Sequence, residues 1–134
     1  MENRNKIRPI LPTEIVNGIN SPAEAFQNSV LRPIIKMQSD LLMAHISAQL
    51  KALKIDWIAF TPMKRKEALT SLLTKDQLFK SEIVGMVIGQ LEVKEYTTYR
   101  AYHKELGKRI TQMVLNRAID LLGSTTQFED FIRM

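Results

Sequence analysis

Cysteine is missing from all 134 residues of the chain. That one absence removes disulfides, thiolate metal ligands and a cysteine nucleophile together. It also favours a reducing cytoplasm, because small secreted domains lean on disulfides. Histidine is nearly missing too, with only His45 and His103. Neither belongs to a Glu-x-x-His pair or a His-Glu-x-x-His zinc motif, so no metal or cofactor is expected. A mixed site of His45, His103 and a carboxylate stays open, although no spacing brings the two together. Long apolar runs are lacking as well. The most apolar stretch, Ile83 to Leu91, is interrupted by Gly85, Gly89 and Gln90 and is about half of what a bilayer requires. At the N-terminus Arg4, Lys6 and Arg8 precede only Ile10 and Leu11 before Pro12, far short of a secretory signal. There is no Gly-x-Ser-x-Gly elbow and no glycine-rich loop joining a strand to a helix, which leaves hydrolase and phosphate-loop chemistry without a framework.

What remains is the material of one ordinary domain. A chain of this length buries roughly two-thirds of its unfolded surface, and 45% hydrophobic with 25% charged residues is a globular balance. The formal net charge of +5 favours an anionic partner, but the charges are dispersed among acids rather than blocked.

Residues 1–20 form an irregular arm, with Pro9, Pro12 and the turn pair Asn17-Gly18, around which a hairpin is conceivable. A single helical domain spans 21–134. Ser21, Pro22 and Glu24 start its first helix as cap, first-turn proline and capping-box acid. Ala23, Phe26, Val30, Ile34, Met37 and Leu41 keep one face straight across Pro33, which predicts one long helix over 22–53 kinked at that proline. Trp57 sits in an apolar linker and is expected over a bundle end. Thr61-Pro62 opens a short helix ending near Leu73. Thr74 opens the next, over 75–88, whose apolar residues predict a buried central position. A strand at Ile83 to Ile88 is rejected for want of a partner. Gly89 supplies a left-handed stop, and Glu92 with Glu95 starts a long helix that Gly123 ends. A terminal turn carrying Phe128, Phe131 and Ile132 can dock. The predicted fold is therefore an all-α bundle of four main helices, two long and two shorter.

Polar residues interrupt both long apolar stripes. Gln38 and His45 share the face of Leu41 and Leu42, while His103 and Arg117 fall on the seam Tyr96, Tyr99, Leu106, Ile110, Met113. Bundles build ligand sites from such inward-pointing residues, so Gln38, His45, His103 and Arg117 form a candidate polar site. The plainer expectation is that they are hydrogen-bonded spacers that fix register. Arg100, Lys104 and Lys108 make a basic stripe opposite the seam, and Lys64-Arg65-Lys66 a second basic cluster; either could meet phosphates. A helix-turn-helix is excluded by the apolar character of the helix that would enter the groove. Gly85, Gly89 and Gly107 lie within or against helices and predict close approach of another backbone.

Several phrases occur together: Phe26-Gln27-Asn28, Leu31-Arg32-Pro33-Ile34, Gly85-Met86-Val87-Ile88-Gly89-Gln90, Glu95-Tyr96, and Lys108-Arg109 before Met113-Val114. They resemble a family of small bacterial all-helical proteins without an established function, some labelled "glyoxalase". The resemblance covers about residues 21–122 and implies a helical fold. The label does not transfer, since metal-dependent glyoxalases take His, Gln and Glu ligands from strands. The leading functional expectation is a non-catalytic cytoplasmic interaction or scaffold module, with a homodimer or another protein as partner and no membrane role. Binding of nucleic acid or another anion is the second, and a small ligand-binding or enzymatic bundle the third.

Overall fold

A computed structural model describes residues 21–123 of the chain. The expected arm and hairpin at 1–20 and the turn at Phe128 to Ile132 lie outside the described residues. Within them the fold is all-helical, with no strand. The elements are α1 (Pro22–Phe26), a π-helical segment (Gln27–Leu31), α2 (Arg32–Met37), α3 (Ser39–Ala52), α4 (Pro62–Thr74), α5 (Gln77–Ile88), α6 (Val93–Ala101) and α7 (His103–Leu122).

Local chemistry explains where the helices begin. The Ser21 hydroxyl accepts the Glu24 N–H at 3.1 Å, and Thr61 Oγ1 accepts that of Lys64 at 3.2 Å. Both satisfy an amide that the helix itself leaves unpaired. Glu92 and Glu95 form a reciprocal capping box at the start of α6. The cap of α5 is Asp76, whose Oδ1 accepts the Phe79 N–H at 3.1 Å. Thr74, expected in that role, belongs to α4, where its hydroxyl donates back to the Thr70 carbonyl at 2.6 Å.

The count of four main helices does not describe the chain, because each expected long helix is subdivided. The first runs from Pro22 to Ala52 with two irregularities. Neither is at Pro33 itself. Ahead of it lies the π segment, in which the Arg32 N–H reaches back five residues to the Gln27 carbonyl. A wider turn leaves room for the pyrrolidine ring, which in a regular helix would collide with the carbonyl four residues back. Beyond it, Gln38 relaxes to φ −91°, ψ 8°, while the ladder continues through Gln38 N–H to Ile34 O and Leu42 N–H to Gln38 O, both 2.9 Å. The π turn adds one residue to the pattern, so the core stripe passes from Phe26 to Leu31 and on through Ile35, Leu42, Ile46 and Leu50. The expected phase through Met37 and Leu41 therefore fails, and Leu41 is exposed. The last long helix breaks at Tyr102, φ −125°, ψ 30°, which separates α6 from α7.

Helix α7 is the centre of the molecule. It packs against the π segment, α2, α3, α4, α5 and α6, burying Leu106, Ile110, Val114, Leu115, Ala118 and Leu122 along one face. Each buried leucine, isoleucine or valine among them contributes about 1.5–3 kcal/mol of hydrophobic stabilisation. Helix α5, expected at the centre, buries only Phe79, Ile83 and Val87, and Leu78 on its other side is 73% exposed. Its run of apolar residues overstated its burial.

No described glycine takes a left-handed conformation. Gly89 keeps helical angles, and α5 ends by tightening, with Gln90 N–H to Val87 O and Leu91 N–H to Ile88 O, both 3.1 Å. The left-handed residue is Lys54, φ 59°. It closes α3 in a Schellman arrangement, with Lys54 N–H to Lys51 O at 2.9 Å and Ile55 N–H to Leu50 O at 3.3 Å. Gly85 and Gly107 face open space rather than a neighbouring backbone. Gly123 is the position where a side chain is excluded: a Cβ there would lie 2.5 Å from the Ile119 carbonyl oxygen.

The linker after α3 folds over the end of α7. Trp57 is 2% exposed and its indole N–H donates to the Leu122 carbonyl at 2.8 Å. Arg65, from the first turns of α4, is buried beside it. Its Nε donates to Trp57 O at 2.9 Å, Nη1 to Gly123 O at 2.8 Å and Nη2 to Ile58 O at 3.3 Å, with the guanidinium 5.8 Å from the Trp57 ring centre. The basic cluster thus loses its middle member to the core. Lys64 and Lys66 remain exposed.

Candidate functional site

The four polar residues that interrupt the apolar stripes make separate contacts. His45 lies on α3, 35% exposed at its side chain, with Nε2 2.8 Å from Glu82 Oε1 of α5. Its ring stacks on Phe79 at 4.9 Å between centroids. His103, at the start of α7, has Nδ1 3.2 Å from the Arg100 carbonyl. Gln38 occupies the junction of α2 and α3. Arg117 alone opens onto a sizeable groove.

That groove, about 670 Å³, runs between the first helical stretch and α7. One wall is Gln27 of the π segment with Arg32, Ile35 and Lys36 of α2. The other is α7, which presents two rows at four-residue spacing: Arg109, Met113 and Arg117, and beside them Gln112, Asn116 and Asp120. Four cations therefore face one carboxylate, with three side-chain amides between them.

The π segment has a part in building this site. In an α-helix, residues five apart lie about 140° from each other around the axis. The wider π turn brings such positions closer together around the axis. Gln27 and Arg32 are five apart, and both reach the groove. Proline is the residue that makes this affordable, since a regular helix was already disfavoured at Pro33.

Two hydrogen-bond systems hold the walls. Arg109 donates Nη1 to Gln27 Oε1 at 2.7 Å, and Nε and Nη2 to Glu105 Oε2 at 3.0 and 2.7 Å. Its guanidinium is a brace between α7 and the π segment. Arg117 donates Nε to the buried Ser39 hydroxyl at 2.7 Å. No other hydrogen bond or ion pair engages Arg117 among the described residues, and its Nη groups remain as donors on a guanidinium whose orientation is fixed. Arg32 donates one Nη to Asn28 Oδ1 at 3.1 Å, and Lys36 is exposed.

The basic stripe is split by the bend at Tyr102. Arg100 ends α6, while Lys104 and Lys108 lie on α7; all three are exposed. Next to Arg100, burial raises the Tyr99 phenol above its usual 10.0, opposed by the Arg100 charge. Among the described residues no three His, Cys, Asp or Glu side chains gather as a metal site requires. No described helix is long and apolar enough to cross a membrane.

Arg109, Gln27 and Asp120 were not among the candidate site residues read from the sequence. The signal was present in the four-residue rows of α7, but their partners lie some eighty positions earlier, as the Gln27–Arg109 separation of 82 shows. Comparison with protein-family models, curated proteins and solved structures finds no match.

Proposed function

We propose that this protein binds a small organic anion, without catalysis, in the groove between the first helical stretch and α7. The observation that carries the reading is Arg117. Its guanidinium is half-buried, anchored through Nε on a buried hydroxyl of the opposite helix, and left with its planar Nη edge to offer. An arginine held this way suits bidentate recognition of phosphate or carboxylate. Arg32 and Lys36 add positive charge from the facing wall. The volume lies within the range of small-molecule sites.

Native mass spectrometry of the gently purified protein, followed by titration calorimetry with phosphorylated and carboxylated compounds, tests this reading. A retained anion, or binding that Arg117→Gln abolishes, is the expected result. Protein that carries no ligand and gives no heat with either class at physiological salt overturns it.

A second reading is a cytoplasmic helical interaction module that docks another protein or its own copy. It is supported by Leu78 and Val93, which are 73% and 84% exposed on α5 and α6. A homodimer by analytical ultracentrifugation, lost in a Leu78→Lys, Val93→Lys variant, is its expected signature.

A further inference from the structure

The two rows of α7 differ in chemistry, and that difference narrows the ligand. The row nearer Arg117 is cationic and apolar: Arg109, Met113, Arg117. The other is Gln112, Asn116 and Asp120, made of hydrogen-bond acceptors and amides. Gln112 Nε2 donates to Asn116 Oδ1 at 2.9 Å, which leaves the Gln112 carbonyl to accept and the Asn116 amide to donate. Asp120 is exposed and has no ion pair among the described residues, although Arg117 is three residues away on the same helix.

A bare anion gains nothing from Asp120, whose charge repels it. A molecule with an anionic group at one end and hydroxyls at the other satisfies both rows. Carboxylates and side-chain amides are the groups that accept from and donate to vicinal hydroxyls. Residues three apart on a helix face lie about 5–6 Å from each other at Cβ, a separation that a phosphate and the hydroxyls of one sugar ring can bridge. Met113 lies in the middle of the cationic row, where its thioether can pack on an apolar sugar face.

We infer that the groove takes the phosphate ester of a polyhydroxylated small molecule, a sugar phosphate or nucleoside monophosphate, with Arg117 and Arg32 on the phosphate and Asp120 on the hydroxyls. This rests on the anion-binding reading of the same groove. A continuous nucleic-acid strand is disfavoured by Asp120, which would face its next phosphate.

Titration calorimetry on the full chain with ribose 5-phosphate, inorganic phosphate and ribose separates the two levels. Ribose 5-phosphate is expected to bind at least about tenfold more tightly than phosphate, as a charge-assisted hydroxyl contact implies, and ribose not at all. Asp120→Asn reduces that preference and leaves phosphate binding unchanged or stronger. Arg32→Gln, an exposed position without an interhelical bond, weakens both phosphates; it guards against misreading an Arg117→Gln variant that fails to fold. Equal affinity for ribose 5-phosphate and phosphate, or a preference indifferent to Asp120→Asn, overturns the inference while the anion-binding reading stands. Absence of binding to both removes the two together. Tighter binding of an RNA octamer, with a salt dependence reporting several phosphate contacts, replaces the small ester with a strand.

Discussion

Single side chains decide how the ends of the helices are held. Arg65 is the clearest case, because one buried guanidinium serves three backbone carbonyls from two separate stretches of chain. Removing it leaves those carbonyls without that donor in a place where water replaces it poorly. Arg65→Met is expected to destabilise the protein by about 2–4 kcal/mol in urea denaturation. Arg65→Lys should recover only part of this, since an ammonium cannot reproduce the three-directional fork. Lys54 presents the opposite situation. Its left-handed backbone carries a strain of about 1 kcal/mol that glycine would not. Lys54→Gly is expected to raise the unfolding free energy by about 0.5–1 kcal/mol. A decrease would mean that the lysine side chain supplies something its backbone angles do not suggest.

At the scale of elements, the π segment links a local oddity to the groove. Deleting Asn28 returns the stretch to ordinary helical spacing and keeps Phe26 and Leu31 in phase with the core. That variant is expected to fold with a lower melting temperature and to keep affinity for the groove's anion, since Gln27 and Arg32 then stand four apart on one face of an α-helix. Deleting Ala48 from α3 turns everything beyond it by about 100°, so loss of cooperative melting by circular dichroism is expected there. The contrast explains what the sequence could and could not disclose. Caps such as Ser21, Thr61 and the Glu92–Glu95 pair were legible, since each depends on three or four adjacent residues. The π turn was not, because a continuous stripe through Val30, Met37 and Leu41 can be drawn across it; only the packing of Leu31 and Ile35 reveals the slipped phase. The break at Tyr102 was hidden for a similar reason, since Tyr99 and Leu106 are both buried on either side of it. The candidate site was half legible. Arg117 stood out as a cation on an apolar seam, while His45 and His103 stood out equally and lead elsewhere.

For the whole molecule, the arrangement around α7 sets where stability is concentrated. Six other segments pack on that helix, so it cannot open without dismantling the core. Its amides from Ile110 to Ala118 are expected to exchange with deuterium only through global unfolding. Helix α6, with Tyr99 as its one buried residue, should exchange earlier through local opening. Equal protection in both helices would show that the fold behaves as one unit without such a gradient. The groove lies against the most protected element on one side and the irregular first helix on the other. A bound anion should therefore slow exchange chiefly around Gln27 and Arg32.

The indole that caps the end of α7 also gives this protein an optical gauge. There is a single tryptophan in the chain, and it is buried with its N–H fixed on the Leu122 carbonyl. Emission from this one chromophore therefore reports whether the linker is seated on the helix terminus. A red shift that precedes the loss of helical circular dichroism would time the undocking of that terminus separately from the collapse of the core.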